Sequence, residues 1–131
     1  MFLTCGHKHK DTKESKKIIT AESGQNVTLT CEAPKYNNNT IRAVEWRRAD
    51  LGTEHVLLYR DGHFELSNQH PSFKNRVDLQ DTQMKDGDVC LILKDVTVND
   101  SGLYECHVFT TGTNNEFIII IYLRVVAPPG E

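Results

Sequence analysis

The cysteines of this sequence could form two kinds of site, because paired thiols form disulfides and clustered thiols bind metals. They are Cys5, Cys31, Cys90 and Cys106. No C-x-x-C pair and no H-x₃₋₅-H pair accompanies them, so the spacing does not predict a metal site. His7 and His9 lie beside Cys5, but in a polar stretch without further ligands. We therefore expect disulfides, with no metal and no cofactor.

The motifs of common enzyme classes are missing from the sequence. It contains no G-x-S-x-G, no H-E-x-x-H and no phosphate-binding glycine loop. Asp86 and Asp88 flank a glycine, which is typical of a turn. We expect no catalytic residues, no small-molecule substrate and no enzyme activity.

The length and net charge of the chain limit which functional classes of protein remain. The 131 residues suit one domain, and the net charge of −3 does not favour nucleic-acid binding. Lysines cluster within residues 1–14 and just beyond, but acidic residues alternate with them, which indicates a solvated arm. No apolar run reaches the roughly 18 residues that span a bilayer. Any membrane anchor is therefore expected outside this sequence.

Three N-glycosylation sequons favour the secretory pathway, in agreement with an even number of cysteines. Their acceptors are Asn26, Asn38 and Asn99. We expect an extracellular protein that carries glycans and disulfides.

Short runs rich in Val, Ile and Thr, with apolar residues at every second position, predict strands along most of the chain. Turn formers separate the runs, and Asp61-Gly62 is a strong hairpin signal. No stretch has the three-and-four spacing of an amphipathic helix. After a strand that begins near Lys17, the main predicted strands are 26–31, 43–47, 55–60, 76–79, 89–93, 102–110 and 117–126. The sequence therefore predicts an all-β fold.

Three residues predict how the strands pack. Cys31, Trp46 and Cys106 follow one another at the spacing of two facing sheets joined by a disulfide, with the indole packed on the bridge. Tyr104 stands two positions before Cys106, where the tyrosine corner of such a sandwich is expected. The predicted fold is an immunoglobulin-type antiparallel β-sandwich with Greek-key connections.

With these motifs, residues 17–126 resemble variable-type (V-set) immunoglobulin domains. The runs V-L-L-Y-R-D-G-H, F-K-N-R-V-D-L and D-S-G-L-Y-E-C most resemble the group of butyrophilins, myelin-oligodendrocyte glycoprotein and T-cell costimulatory ligands. Adhesion molecules of the coxsackie-adenovirus-receptor type come next. The Phe-Gly-x-Gly typical of antigen-receptor chains is replaced here by Asn115-Glu-Phe-Ile-Ile. The resemblance implies an ion pair between Arg76 and Asp100. The polar, patternless residues 1–14 predict an arm, residues 15–126 form the V-type domain, and the two prolines after Ala127 predict the start of a linker or stalk (127–131).

Strand alternation predicts an exposed face that could bind a protein. If Trp46 and Cys106 point inward, alternate residues on their strands and on the last strand point outward. The expected face comprises Leu57, Tyr59, Glu45, Arg47, Arg60, His107, Phe109, Ile118, Ile120 and Tyr122. A bulge in the strand before Asp61 would turn Leu57 and Tyr59 to the other side. It is too apolar for a solvated sheet face, which favours a binding site. The other interpretation is that the arm or a neighbouring domain covers it.

Cys90 lies between Val89 and Leu91, which are expected to face the core, so its thiol is expected to face solvent. A free exposed thiol is unusual in a secreted protein. Cys5 is the remaining candidate within the chain, and a Cys5–Cys90 bridge would fold the arm back over the sheet. Pairing with another chain is the alternative.

The resemblance implies a recognition module on the extracellular side of the plasma membrane. We expect an immune-regulatory ligand or receptor, with a protein counter-receptor on another cell that is itself an immunoglobulin-type protein. Binding would use the face that V-type domains build from strands G, F, C and C′, together with the distal loops 34–40, 61–65 and 110–116. The alternative is a cell-adhesion molecule that uses the same face, either on itself as a homodimer or on a different protein.

Overall fold

Nine strands form two β-sheets in the computed structural model of the protein, which describes residues 16–33, 40–111 and 116–128. The strands are β1 Lys16–Glu22, β2 Val27–Leu29, β3 Ile41–Arg48, β4 Leu57–Arg60, β5 His63–Phe64, β6 Val77–Leu79, β7 Leu91–Leu93, β8 Gly102–Thr110 and β9 Glu116–Val126. Within these ranges the only helical elements are three short 3-10 turns. The prediction of an all-β fold is confirmed.

The larger sheet has the strand order β1-β9-β8-β3-β4-β5, and the smaller has the order β2-β7-β6. Strand β1 runs parallel to β9, whereas the other pairs are antiparallel. In the larger sheet Trp46 lies opposite Cys106, and Glu45 lies opposite His107. Strand β8 is therefore flanked by β3 and β9, and these three strands form the middle of the sheet.

The Asp61-Gly62 pair makes the predicted hairpin between β4 and β5. Asp61 has a φ of 54° and Gly62 a φ of 87°, so both residues adopt the left-handed conformation of a type I′ turn. Arg60 consequently pairs with His63, and Tyr59 with Phe64. The turn ends the larger sheet with a two-residue edge strand.

Trp46 is the centre of the core between the two sheets. Its side chain has no exposed surface, and its Nε1 donates a hydrogen bond of 3.0 Å to the carbonyl oxygen of Val89. Trp46 belongs to the larger sheet, whereas Val89 leads into β7 of the smaller one. The indole therefore contributes both apolar area and a hydrogen bond across the interface.

Arg76, Asp100 and Tyr104 close one end of the sandwich. Arg76 contacts Asp100 through two hydrogen bonds, 2.8 and 3.1 Å long, in the pair that the resemblance implies. The second carboxylate oxygen also accepts a bond from the backbone N–H of Thr97. The hydroxyl of Tyr104 donates to the carbonyl oxygen of Asp100 at 2.6 Å. Asp100 is 3% exposed, so the Arg76 guanidinium and the Thr97 amide replace the water that the carboxylate loses.

Cys31 and Cys106 are both buried in the core cluster. Burial, followed by contact with the side chain of Cys31, raises the pKa of the Cys106 thiol well above its ordinary value. Both residues are thiols in this structure, so the bridge between them stays a prediction.

The expectation that Cys90 faces solvent is wrong, because Cys90 is only 5% exposed. The residue does not belong to the core cluster. Its sulfur lies against the backbone of Cys31, where it accepts a hydrogen bond from the amide at 3.4 Å and donates to the carbonyl at 3.6 Å. The backbone of Cys31 therefore covers the Cys90 thiol and keeps it from solvent. Cys5, its proposed partner, lies outside the described residues.

We expect Asp100→Asn to lower the free energy of unfolding by about 3 kcal/mol, because it leaves the Arg76 guanidinium without its charged partner at a largely buried site. Chemical denaturation monitored by tryptophan fluorescence measures the change. The matched control is Asp50→Asn, since Asp50 also pairs with an arginine, Arg48, but is 69% exposed. We expect the control to cost less than about 1 kcal/mol. Equal losses in the two variants would contradict a structural role for this ion pair.

We expect the Cys90 thiol to resist alkylation in the folded protein. Burial raises the pKa of this thiol to about 11, so only about one molecule in a thousand carries a thiolate at pH 8. Iodoacetamide labelling followed by mass spectrometry, in buffer and in guanidinium chloride, measures the difference. A parallel sample with reductant separates a buried thiol from a disulfide, which stays unlabelled in denaturant until it is reduced. Rapid labelling of the folded protein would contradict the burial.

Candidate protein-binding face

The surface of the larger sheet that points away from the core is the candidate site, and we call it the outer face. Its members alternate along β3, β8 and β9 with buried residues, and pairing across the strands aligns them in rows. The outer face comprises Ala43, Glu45, Arg47, Leu58, Arg60, Glu105, His107, Phe109, Glu116, Ile118, Ile120 and Tyr122. It therefore contains nearly all of the residues predicted for the binding site.

Strand β9 gives the outer face an apolar strip. Ile121 and Leu123 are fully buried in the core, so Ile118, Ile120 and Tyr122 project from the opposite side. Tyr122 is 39% exposed, and its neighbour on β1, Ile18, is 70% exposed. A sheet face in contact with water is expected to be polar, whereas this strip is not. Ile118 and Ile120 are half-buried, so they join the exposed Tyr122 and Ile18 in a partly exposed apolar surface. Contiguous apolar surface is typical of interaction sites.

A charged cluster lies on β3, which β8 separates from the strip. Arg47 donates a 3.1 Å hydrogen bond to Glu45, whose other carboxylate oxygen lies 3.5 Å from Nδ1 of His55. The hydrogen bond to Glu45, reinforced by the charges of Glu105 and Glu116, raises the pKa of Arg47. Nε2 of His55 is buried without a hydrogen-bond partner. The cluster keeps an arginine with 46% of its side chain exposed in a fixed position on the outer face.

His107 lies between two carboxylates on this face. Its Nε2 is 2.9 Å from Glu105 Oε1, and its Nδ1 is 2.5 Å from Glu116 Oε2. The alternation correctly predicts its side of the sheet, but the residue is 6% exposed rather than part of an open rim. The neighbouring side chains cover the ring, because Glu105 precedes it on β8 and Glu116 reaches it from β9.

The predicted orientation of β4 is wrong. Leu57 is 3% exposed and belongs to the core cluster, and Tyr59 packs against that cluster. Leu57 pairs with Trp46 and Tyr59 pairs with Val44, so both lie on the inner side of the sheet. Leu58 and Arg60 occupy the outer side instead. The outer face is consequently less aromatic near β4 than the sequence predicts.

The other predicted positions lie around the outer face or away from it. Phe109 is half-buried, opposite Ala43. Of the glycosylation acceptors, Asn26 and Asn99 are exposed, whereas Asn38 lies outside the described residues. Loops 34–40 and 110–116 also lie largely outside them, but loop 61–65 contains the hairpin turn and β5.

Among the described residues, no group of three or more His, Cys, Asp or Glu side chains is positioned to hold a metal ion. That part of the chain also contains no helix long and apolar enough to cross a membrane. A groove of about 340 Å³ lies beside β4 and β6, and it is lined mainly by apolar residues that include Leu58, Phe64 and Leu66.

Comparison with known proteins identifies the family. The model of the immunoglobulin V-set domain matches residues 13–126, so the chain belongs to the immunoglobulin V-set family. Programmed cell death 1 ligand 1 of Mus musculus is 31% identical over 115 residues, which cover 86% of this chain and 38% of that protein. Butyrophilin subfamily 1 member A1 of Mus musculus is 30% identical over 118 residues, which cover 89% of this chain and 22% of that protein.

A solved structure, the human B7-H4 IgV-like domain, superimposes with a TM-score of 0.70 at 22% identity. The match covers 82% of this chain and 90% of that one, and it shows a shared fold. The chain spans less than half the length of the two curated relatives. The family match and the two relatives confirm that this domain resembles costimulatory ligands and butyrophilins.

Two neighbouring isoleucines test the orientation of β9. We expect Ile120→Arg to fold with its free energy of unfolding changed by less than about 1 kcal/mol, because the new side chain projects from the outer face. We expect Ile121→Arg to lose at least about 4 kcal/mol, because it places a charge in the core. Thermal melting monitored by circular dichroism compares the two variants. Unfolding of the Ile120 variant would show that the two sides of β9 are assigned the wrong way round.

Proposed function

We propose that this chain is the recognition domain of an extracellular, cell-surface immune regulator, and that it binds a protein counter-receptor through the outer face. Similarity to a programmed cell death ligand and to butyrophilins supports the immune-regulatory class. The match of the V-set model to residues 13–126 supports the same proposal. We further propose that the V-type domain at 15–126 lies between an arm at 1–14 and the start of a linker at 127–131. No enzyme activity is proposed.

The apolar strip on β9 is the observation that carries the proposal. Ile118, Ile120 and Tyr122 extend along the long strand β9 without the polar alternation that a free sheet requires. Beside them, Glu45, Arg47 and Glu105 provide charged groups at the margin of the strip. An apolar centre with a polar rim is the usual composition of a protein interface.

Glycan placement is consistent with this surface. Asn26 lies in the turn before β2, and Asn99 lies in the 3-10 turn Val98–Asp100 before β8. Neither side chain belongs to the rows of the outer face. Glycans on these two residues would leave the strip accessible to a partner.

A screen of the glycosylated domain against cell-surface ectodomains tests the proposal. We expect at least one partner that binds the wild type but not Ile120→Arg. Val98→Arg is the matched control, because Val98 is a 54% exposed apolar residue away from the outer face. The control is expected to bind like the wild type. Equal loss of binding in both variants, or in neither, would contradict the assignment of the outer face.

The same strip suits homophilic adhesion, which is the second candidate function. A self-complementary face of this kind is expected to form dimers at micromolar concentration. Sedimentation velocity of the wild type and the Ile120 variant distinguishes the two functions. A wild-type monomer supports a counter-receptor, whereas a dimer that the substitution dissociates supports adhesion.

A further inference from the structure

The groove beside β4 and β6 lies where both sheets end. Strand β5 is the last strand of the larger sheet and β6 is the last strand of the smaller one, and Phe64 on β5 and Val77 on β6 both line the groove. Strands β8 and β3 separate it from the apolar strip on β9, so it is a second surface. Its volume of about 340 Å³ is at the lower end of the roughly 300–1,000 Å³ of ligand pockets, which suits side chains rather than a large cofactor.

The apolar wall of the groove is open to solvent but held in place. Phe64 is 37% exposed and Leu66 is 68% exposed. The ring of Phe64 packs edge-to-face on Tyr59, with the two ring centroids 4.8 Å apart, and Tyr59 packs against the core cluster. This contact fixes the position of the Phe64 ring. A surface that is already ordered costs a partner less conformational entropy on binding.

The backbone at this edge of the larger sheet is also open. Phe64 directly precedes Glu65, whose N–H donates to the carbonyl oxygen of Leu58 at 2.9 Å. Because hydrogen-bonded and non-hydrogen-bonded pairs alternate along an antiparallel ladder, the N–H and C=O of Phe64 point away from β4. No strand of the described residues lies on that side of β5, and the N–H of Leu66 has no hydrogen-bond partner among the same residues. An edge of this kind can accept an additional strand.

Lys74 gives the groove an unpaired positive charge. The charged residues that line the groove are Glu65 and Lys74. Glu65 is already paired, since its carboxylate lies 3.4 Å from Arg60 and 3.2 Å from His63. The exposed ammonium of Lys74, by contrast, has no ion pair or hydrogen bond within the described part of the chain. The charge of the groove therefore complements an acidic side chain.

We propose that the groove binds an extended segment of another protein, which adds to β5 as a further strand. An apolar side chain of this segment packs between Phe64 and Leu66, and an acidic side chain faces Lys74. The backbone groups of Phe64 hold the segment, whereas the apolar wall and the lysine select its sequence. This second site goes beyond the proposed function, because it does not use the apolar strip of β9.

Selection from a phage-displayed library of random heptapeptides tests the chemistry of the partner. We expect the wild-type domain to enrich peptides that combine a large apolar residue with Asp or Glu. The Lys74→Glu variant is expected to reverse the charge preference and to enrich peptides with Lys or Arg. A wild-type domain that enriches no peptide, or an acidic preference that persists in Lys74→Glu, would overturn the proposal.

Synthetic peptides of the enriched sequences locate the site by fluorescence anisotropy. We expect Leu66→Ser to raise the dissociation constant at least about tenfold, because the apolar contact is lost. Val98→Ser is the matched control, since Val98 is another exposed apolar residue, and it is expected to bind like the wild type. Both substitutions are at exposed positions, so both variants are expected to melt like the wild type. Unchanged affinity in Leu66→Ser, or equal losses in the two variants, would overturn the proposal.

Amide hydrogen exchange tests whether the peptide adds as a strand. We expect the amides of Phe64 and Leu66 to exchange rapidly in the free protein and to become protected when the peptide binds. Protection only at other positions would overturn the proposal. Protection of both amides before any peptide is added would also overturn it, because another segment of this chain or a second copy would then occupy the edge. The Ile120→Arg variant is expected to bind the peptide like the wild type, so failure of the proposed function would leave this result intact.

Discussion

The structure depends on the position of one side chain, the indole of Trp46. It is completely buried between the sheets, and its N–H bonds to the backbone of Val89 on the opposite side of the core. An unpaired indole N–H at such a site would be costly, so packing and hydrogen bonding fix the same orientation. Once Trp46 points inward, pairing of β3 with β8, and of β8 with β9, determines the direction of every side chain in the middle of the larger sheet.

The outer face follows from this constraint. Because side chains alternate along a strand, each residue that fills the core is accompanied by one that leaves it. On β9 both sets are apolar, so the chain builds a core with Ile121 and Leu123 and a second apolar surface with Ile118 and Ile120. The first set is needed for folding. The second set is half-buried on the outer face rather than part of the core, and we propose that it binds a partner.

Much of this arrangement could be predicted from the sequence where a period of two was visible. Around Trp46 and Cys106, polar and apolar residues alternate, and the predicted sides of β3 and β8 agree with the structure. On β9, where both sides are apolar, the side was predicted from the charge of Arg124, which is exposed as expected. The run Val56-Leu57-Leu58 has no such alternation, so the side of β4 depended on its register with β3, which the sequence does not contain. Trp46 pairs with Leu57, and this pairing places Leu57 in the core.

Burial produced by distant segments could not be predicted either. Cys90 is sheltered by the backbone of Cys31, and His107 is covered by Glu116 from β9. Both contacts join residues from separate segments of the chain, whereas the alternation within one strand predicts only which side of that strand each residue occupies. The resemblance to V-type domains supplied the Arg76–Asp100 pair, because that contact belongs to the fold rather than to a local pattern.

The fold hosts many functions, so we infer recognition from the composition of one surface and from similarity to relatives that include a ligand. Residues 118–121 are four consecutive isoleucines, two on each side of the sheet. Isoleucine methyl labelling, combined with a soluble paramagnetic agent, measures the solvent access of each one. We expect strong relaxation at Ile118 and Ile120, weak relaxation at Ile119 and Ile121, and loss of the strong effect when a partner binds. A uniform profile, or stronger relaxation at Ile121 than at Ile120, would contradict it.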